Sequence, residues 1–370
     1  MSIKKNFVFH LLSLFVVCLQ ITCVVPLPSL ESQRIGNNFE RQSEPILETQ
    51  TYEVAPGITY EYIYVEAHDG CNVKKPTFLF LHGFPSSLHC WRHQIEYFSR
   101  QGYGCLAVNT MGYGKSYSPM NKTEYKTKSM VDHFMTLLNH LNLDKVVVVG
   151  HDWGTRPASR IVLYQPERTL GLILLSIDYM APRIFDLDQM IAISEAYCGY
   201  DSLGYWKFFD SDDAATIIEN NLESFIDLIY ASNTTLFKTH FTPIGKMRQW
   251  LINNHKTARA TYMTENDYNI LRQYLNKGMQ PKLNWYRAII ANVDWEDEKN
   301  IDPTVRRQIL FMRGKQVDVC RETSLTKQSS FTPSIEIIDF DTGHWLMEEQ
   351  PKAINQAIEE WIKKFYKSDL

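Results

Sequence analysis

The stretch Val146-Val147-Val148-Val149-Gly150-His151-Asp152-Trp153-Gly154-Thr155 decides how the rest of the chain is read. Four β-branched residues in a row, stopped by a glycine, have the length and composition of a strand buried on both faces. Gly150 and Gly154 allow a sharp turn and let the helix-like stretch that follows pack against the strand. A side chain held between two such glycines, on a strand-to-helix turn, is thrust out at the top of a sheet as a nucleophile. Serine is the usual occupant, and here the residue is Asp152. A carboxylate does not form a stable acyl intermediate as serine does. It can attack an electrophilic saturated carbon and form an alkyl ester. The competing reading of the same pentapeptide is structural: a strand-end aspartate that caps the next helix through its side chain.

Outward from this stretch, strand and helix patterns alternate. From Thr51, Ile58, Tyr60, Tyr62 and Tyr64 alternate with Thr59, Glu61 and Ile63, which predicts antiparallel edge strands with one wet face. Asp69-Gly70 is a turn signal. Pro76 to Leu81 reads as a buried strand that ends in His82-Gly83-Phe84-Pro85. Ser86-Ser87 can cap a following helix with Trp91, Ile95 and Phe98 on its inner face. A strand over Cys105 to Val108 ends at Met111-Gly112-Tyr113-Gly114, and a helix over 127–143 leads into the valine run. Beyond the turn come a helix and a strand from Leu170 to Ile177. This rhythm predicts an α/β fold: a mostly parallel sheet flanked by helices.

After Pro182 the rhythm stops. Residues 183–300 are helical in pattern and rich in Tyr, Phe, Trp and Asn. It resumes at Gln308-Ile309-Leu310-Phe311-Met312, then a strand from Ser334 to Phe340, Gly343-His344 and a last helix from Lys352 to Phe365. The middle stretch is therefore read as an insertion after the sixth strand. At a strand's carboxyl end it covers the crevice where such sheets bind ligands, and so acts as a cap. The expected division is core over 51–182, cap over 183–300 and core again over 301–370.

Composition bounds the rest. The 370 residues are 44% hydrophobic and 22% charged with a net charge of −4, an ordinary globular balance with no basic run suited to nucleic acid. Residues 26–50 show no apolar period and read as a surface arm. In residues 1–25, Lys4-Lys5 precede an apolar stretch from Phe7 to Val25, as in a secretory signal peptide. The alternative is a membrane anchor, since nineteen helical residues span roughly 28 Å. Either way the chain is expected to enter the secretory pathway, and it meets a membrane only if this segment is retained. Asn121-Lys122-Thr123 and Asn233-Thr234-Thr235 are glycosylation triplets. Beyond the leader, Cys71, Cys90, Cys105, Cys198 and Cys320 form neither a disulfide framework nor a zinc pattern, although one pair is free to bridge.

Five motifs together carry a family resemblance: His82-Gly83-Phe84-Pro85, Trp91 with Gln94, Gly150-His151-Asp152-Trp153-Gly154, Leu283-Asn284-Trp285-Tyr286-Arg287 and Gly343-His344-Trp345. In this order, over about residues 50–365, the chain resembles the soluble and fungal-type epoxide hydrolases of the α/β-hydrolase fold. The Gly-His-Asp-Trp-Gly motif is shared with haloalkane dehalogenases; Leu-Asn-Trp-Tyr-Arg is the more discriminating match. The resemblance implies that Asp152 opens an oxirane and that two cap tyrosines protonate its oxygen. Tyr286 matches one position, and Tyr205, in Gly204-Tyr205-Trp206-Lys207-Phe208-Phe209, is the candidate for the other. Tyr200, Tyr262 and Tyr274 stand in reserve. His344 is the implied general base for hydrolysis of the ester. Asp318 is the implied acid that orients it, although it lies one residue later relative to Cys320 than the usual pattern. Asp178 is the alternative acid. The backbone N–H groups of Phe84 and Trp153 are the implied oxyanion donors. His151, adjacent to the nucleophile, is read as structural. No metal or organic cofactor is implied, and the aromatic cap suggests an apolar pocket for a small-molecule epoxide, whose size fold and motif do not fix.

Two other functions fit parts of the pattern. A haloalkane dehalogenase would use the same Asp152 and His344, but would hold halide with N–H donors instead of a tyrosine pair. A fluoroacetate dehalogenase usually has Arg where Trp153 stands. A catalytically silent binding module of the same fold usually lacks the nucleophile or the histidine, and both are present here.

Overall fold

Eight strands form one sheet in the order β1-β2-β4-β3-β5-β6-β7-β8. They are β1 (Gln50–Ala55), β2 (Ile58–Val65), β3 (Thr77–Leu81), β4 (Gly104–Val108), β5 (Val146–His151), β6 (Thr169–Leu175), β7 (Ile309–Gly314) and β8 (Ile335–Phe340). The computed structural model describes residues 48–68, 75–316 and 330–366, all within the unit Leu47–Leu370. β1 pairs with β2 and β2 with β4 antiparallel, and every other pairing is parallel. β3, β4 and β5 are buried along their whole length, as expected of apolar runs covered by helices on both faces. The leader, the arm up to residue 47 and Asp69-Gly70 lie outside the described residues.

The N-terminal hairpin departs from the expected wet face. Glu61 and Ile63 in the middle of β2 are buried beside Tyr60 and Tyr62. Glu61 is tolerated there because its carboxylate accepts from Asn109 Nδ2 at 2.7 Å and from the Lys115 N–H at 2.9 Å. Alternation of residue types cannot reveal that the polar face is also covered. β1, at the edge, keeps most of the exposure.

Helices α1 (Arg92–Arg100), α2 (Thr127–His140) and α3 (Thr155–Tyr164) follow β3, β4 and β5. A short 3₁₀ turn, Leu88–Trp91, precedes α1 and is the segment capped by Ser87, whose hydroxyl accepts from the His89 N–H. Between β6 and β7 the described chain is helical: α4 (Leu187–Cys198), α5 (Tyr205–Asp210), α6 (Ala214–Asn220), α7 (Leu222–Ile229), α8 (Lys246–Ile252), α9 (Glu265–Leu275), α10 (Gln280–Ile290) and α11 (Trp295–Glu298). The chain closes with α12 (Leu346–Glu349) and α13 (Pro351–Tyr366). No helix among the described residues is long and apolar enough to cross a membrane.

Ion pairs tie the helical insertion to the sheet layer. Arg92 on α1 binds Asp267 on α9 at 3.1 Å and Glu348 on α12 at 2.6 Å. On the other side Arg156 on α3 meets Asp294 at 2.7 Å, and Arg160 meets Glu298 at 2.5 Å, all four side chains being buried. The helix that starts at the Asp152 turn is thus anchored to the end of the insertion. Cys90 and Cys105 are buried free thiols, and Cys198 is disulfide-bonded. Asn121 and Asn233 of the two triplets are both exposed.

Candidate active site

The strand order creates the site. The chain leaves β3 for β4 on one side and returns to β5 on the other, so the carboxyl ends of β3 and β5 lie together where the order reverses. Such a switch point opens a crevice. In register, Leu81 pairs with Gly150, which brings His82-Gly83-Phe84 beside His151-Asp152.

At the end of β5 the backbone turns at Asp152 with φ 51°, a conformation unusual for a residue with a side chain. Glycine is required on both sides. A Cβ on Gly150 would lie 2.6 Å from the Gly154 carbonyl oxygen, and one on Gly154 would lie 2.0 Å from that of Leu81. The Asp152 side chain does not cap the following helix. Instead its Oδ1 accepts from the Phe84 N–H at 2.8 Å, which argues against the structural reading of the pentapeptide. A Cβ on Gly83 would fall 2.3 Å from this Oδ1 and 2.6 Å from the Trp153 nitrogen, so only glycine lets the Phe84 loop close on the carboxylate. Burial pushes the Asp152 carboxyl up, but the hydrogen bond and charge of His344, with help from the Trp153 N–H, hold it below the usual carboxylate range.

His344 follows β8 and faces Asp152, with Nε2 3.4 Å from its Oδ2. Two contacts fix it. Its carbonyl accepts from His151 Nε2 at 2.9 Å, so His151, fully buried and pointing away from Asp152's crevice, holds the His344 loop. Its Nδ1 lies 2.7 Å from Ser176 Oγ. Burial, and then the proximity of His344, bring His151 down to about 3, and burial brings His82 down to about 4. Both are neutral in the fold. His82 Nε2 accepts from the Thr110 N–H, leaving Nδ1 to donate to the Gly83 carbonyl at 2.9 Å, which steadies the loop carrying Phe84.

The two acid candidates differ in what is seen of them. Asp318 lies outside the described residues. Asp178 is buried just beyond β6 and accepts from the Tyr179 N–H at 2.6 Å.

Over Asp152 the insertion contributes an aromatic wall. Tyr286 on α10 is buried with its ring 4.8 Å from that of Trp153 and 5.2 Å from that of Phe84. Tyr205 at the start of α5 lies 5.9 Å from Tyr286, ring to ring, at 77°. Burial raises both phenols well above their ordinary value, and the Asp152 charge adds to each. The reserve tyrosines lie elsewhere: Lys238 covers the Tyr200 ring, Tyr262 feels Glu348 and Glu349, and Tyr274 feels Glu61.

The motif 283–287 explains how this wall is built. Asn284 donates to the Met120 carbonyl at 3.0 Å and Trp285 Nε1 to that of Met111 at 2.9 Å, fastening α10 to the sheet layer. Arg287 donates to the carbonyls of Phe209 at 2.9 Å and Ser211 at 2.7 Å, gripping the carboxyl end of the helix that begins with Tyr205. The amino end of that helix is held by the Thr242 carbonyl, which accepts from the Tyr205 N–H at 2.8 Å.

A cavity of about 590 Å³ adjoins the site without enclosing Asp152. It meets the site at Ser176 and Trp206, and Met180, Phe185, Ile193 and Phe311 give it an apolar lining. Among the described residues no group of three or more His, Cys, Asp or Glu side chains could hold a metal ion. Sequence reasoning missed Ser176 and Tyr113. Tyr113 is fully buried and feels the Asp152 charge, and the Gly112-Tyr113-Gly114 turn was its only signal.

Known proteins have related sequences. The chain is 26% identical over 315 residues to the bifunctional epoxide hydrolase 2 of Rattus norvegicus, covering 84% of this chain and 54% of that protein. It thus spans about half the length of that relative. It is 25% identical over 307 residues to epoxide hydrolase 2 of Siraitia grosvenorii, covering 78% of this chain and 92% of that protein. Among solved structures, an epoxide hydrolase from Vigna radiata superimposes with a TM-score of 0.71 at 25% identity, covering 87% of this chain and all of that one (100%). The alpha/beta hydrolase fold family matches residues 76–351, about three quarters of the sequence, and the chain belongs to that family.

Proposed function

We propose that the chain hydrolyses an epoxide to a vicinal diol through an ester on Asp152. The observation that carries this reading is the pair of phenols, the half-buried Tyr205 and the buried Tyr286, facing a carboxylate that already rests on the Phe84 N–H. Asp152 Oδ2 attacks an oxirane carbon while Oδ1 stays on the Phe84 and Trp153 N–H groups. The carbon–oxygen bond breaks, and the departing oxygen takes a proton from the phenol pair. Both phenols are protonated across the neutral range because burial disfavours their anions. General-acid assistance of this kind is worth about 10²–10⁴ in rate.

In the second half, water attacks the ester carbonyl carbon and gives its proton to His344 Nε2. Charge develops on Oδ1, where the Phe84 and Trp153 N–H groups receive it. Collapse of the tetrahedral adduct breaks the bond to the alkyl oxygen, which leaves as the diol after regaining a proton. Asp318 is proposed as the acid that orients His344, with Asp178 as its alternative. The similarity to epoxide hydrolases supports the reaction class, and the apolar cavity beside Trp206 supports an apolar substrate. Entry into the secretory pathway belongs to the same proposal, and the disulfide at Cys198 supports an oxidising compartment.

A haloalkane dehalogenase needs N–H donors for halide; the Trp285 indole is committed to the Met111 carbonyl, and the buried Trp206 Nε1, which makes no hydrogen bond among the described residues, is free to serve. The test is to offer the purified protein a simple aryl epoxide and, separately, a bromoalkane. Diol from the first and no halide from the second is the expected result. Halide release without diol would overturn the proposal.

A further inference from the structure

We infer that Ser176 is a positioning residue for the hydrolytic half of the reaction, holding His344 through Nδ1 beside the acid proposed to orient it, so that Nε2 is unprotonated when water must be activated. This rests on the function proposed above. Three observations lead to it. First, Ser176 Oγ lies 2.7 Å from His344 Nδ1, on the side of the ring opposite Asp152. Second, Ser176 is held at φ 67°, and the Ile177 N–H donates to the Leu175 carbonyl across it at 2.8 Å. That is a γ-turn of the rarer, strained hand. Such strain persists only where the surroundings impose it, and it clusters at working sites. Third, the turn is pinned to the sheet by the Ser176 N–H, which donates to the Met312 carbonyl on β7 at 2.9 Å. An unstrained strand end would continue along β6 and carry the hydroxyl elsewhere.

A hydroxyl suits both states of the imidazole because it donates and accepts. While Asp152 is an anion, it favours a proton on His344 Nε2, and the Ser176 hydroxyl rests against Nδ1. Once Asp152 is an ester, that anion is gone. The tautomer that can take a proton from water has Nδ1–H, and Ser176 Oγ accepts from it. When Nε2 then gains the proton, the Ser176 oxygen helps to hold the imidazolium. Ser176 touches none of the reacting atoms; it acts through His344.

The test compares Ser176→Ala and Ser176→Asn with wild type on a simple aryl epoxide. Alanine keeps the Cβ and its backbone conformation and removes only the hydroxyl. Asparagine tolerates positive φ and offers an oxygen that can accept from Nδ1–H. Ester formation is followed in a single turnover, the standing ester by intact mass, and kcat and KM in steady state. Ser176→Ala is expected to form the ester within about threefold of wild type and to hydrolyse it about tenfold more slowly, the loss of one hydrogen bond to a charged group. Ester then accumulates, kcat and KM fall together, and Ser176→Asn restores part of kcat. Unchanged kcat and ester level in Ser176→Ala would overturn the assignment. So would equal slowing of both steps with no rescue by asparagine, because a merely structural serine behaves that way. If wild type itself makes neither ester nor diol, the proposed function fails first and this role falls with it.

Discussion

Replacing Tyr286 with phenylalanine separates the chemistry of the aromatic wall from its packing. The ring sits among Trp153 at 4.8 Å, Phe209 at 4.8 Å, Trp206 at 5.0 Å and Phe84 at 5.2 Å, so a phenyl group fills the same space. Loss of the hydroxyl should change folding stability by no more than about 1 kcal/mol, the worth of a typical hydrogen bond. Its effect on ring opening should be much larger. Removing one preorganised donor from a developing oxyanion costs about 2.7–4 kcal/mol, or roughly 10²–10³ in rate. Tyr205 remains in the variant, so ester formation slows without vanishing. The two rings lie 5.9 Å apart, so their losses will not add simply, and the double phenylalanine variant reports their coupling. Trp153 lies against Tyr286, which makes tryptophan fluorescence in a single turnover a direct assay, calibrated by quenched mass measurements. Ester formation within about threefold of wild type, in a variant with unchanged thermal stability, would refute the proton-donor role.

The buried ion cluster gives a stability prediction. Glu298→Ala leaves Arg160, fully buried, without its carboxylate, and breaking such a pair costs about 3–5 kcal/mol; a denaturant midpoint that does not fall would contradict it. Acid should also weaken the fold. His82 and His151 titrate near about 4 and about 3 in the native state, both below the ordinary 6.5. Their contribution is complete above that ordinary value and is lost as pH falls towards the native values, at about 1.4 kcal/mol per pH unit for each. Burial raises Glu348 and Glu349, which oppose this by stabilising the fold on protonation. The expected net result is a denaturant midpoint that declines between pH 6.5 and 4, and a flat profile would count against neutral buried histidines.

Much of the site could be read from local pattern because its key residues sit where regular elements end. The valine run made β5 unmistakable, and its two glycines left Asp152 as the only side chain exposed by the turn. His344 stood out for a similar reason, just beyond a strand. Tyr286 was legible only through the family resemblance of Leu283-Asn284-Trp285-Tyr286-Arg287, and the structure gives Asn284, Trp285 and Arg287 each a separate fastening task. What could not be read depends on contacts distant in sequence. Glu61 looked solvated because nothing local announces Asn109, 48 residues away. Ser176 gave no sign of its positive φ, because serine carries none of the signal that glycine does. Asp318 could be suggested by its position after β7, but lies outside the described residues.

The central claim is a covalent ester on Asp152, and one experiment reaches it directly. His344→Gln, mixed with an excess of a simple aryl epoxide, should form the ester and fail to hydrolyse it, because the base facing Asp152 Oδ2 at 3.4 Å is gone. Its intact mass should rise by the mass of the epoxide, and the Asp152→Asn protein should show no such gain. A wild-type protein that makes diol while His344→Gln gains no mass, or an equal gain on Asp152→Asn, would contradict the ester mechanism.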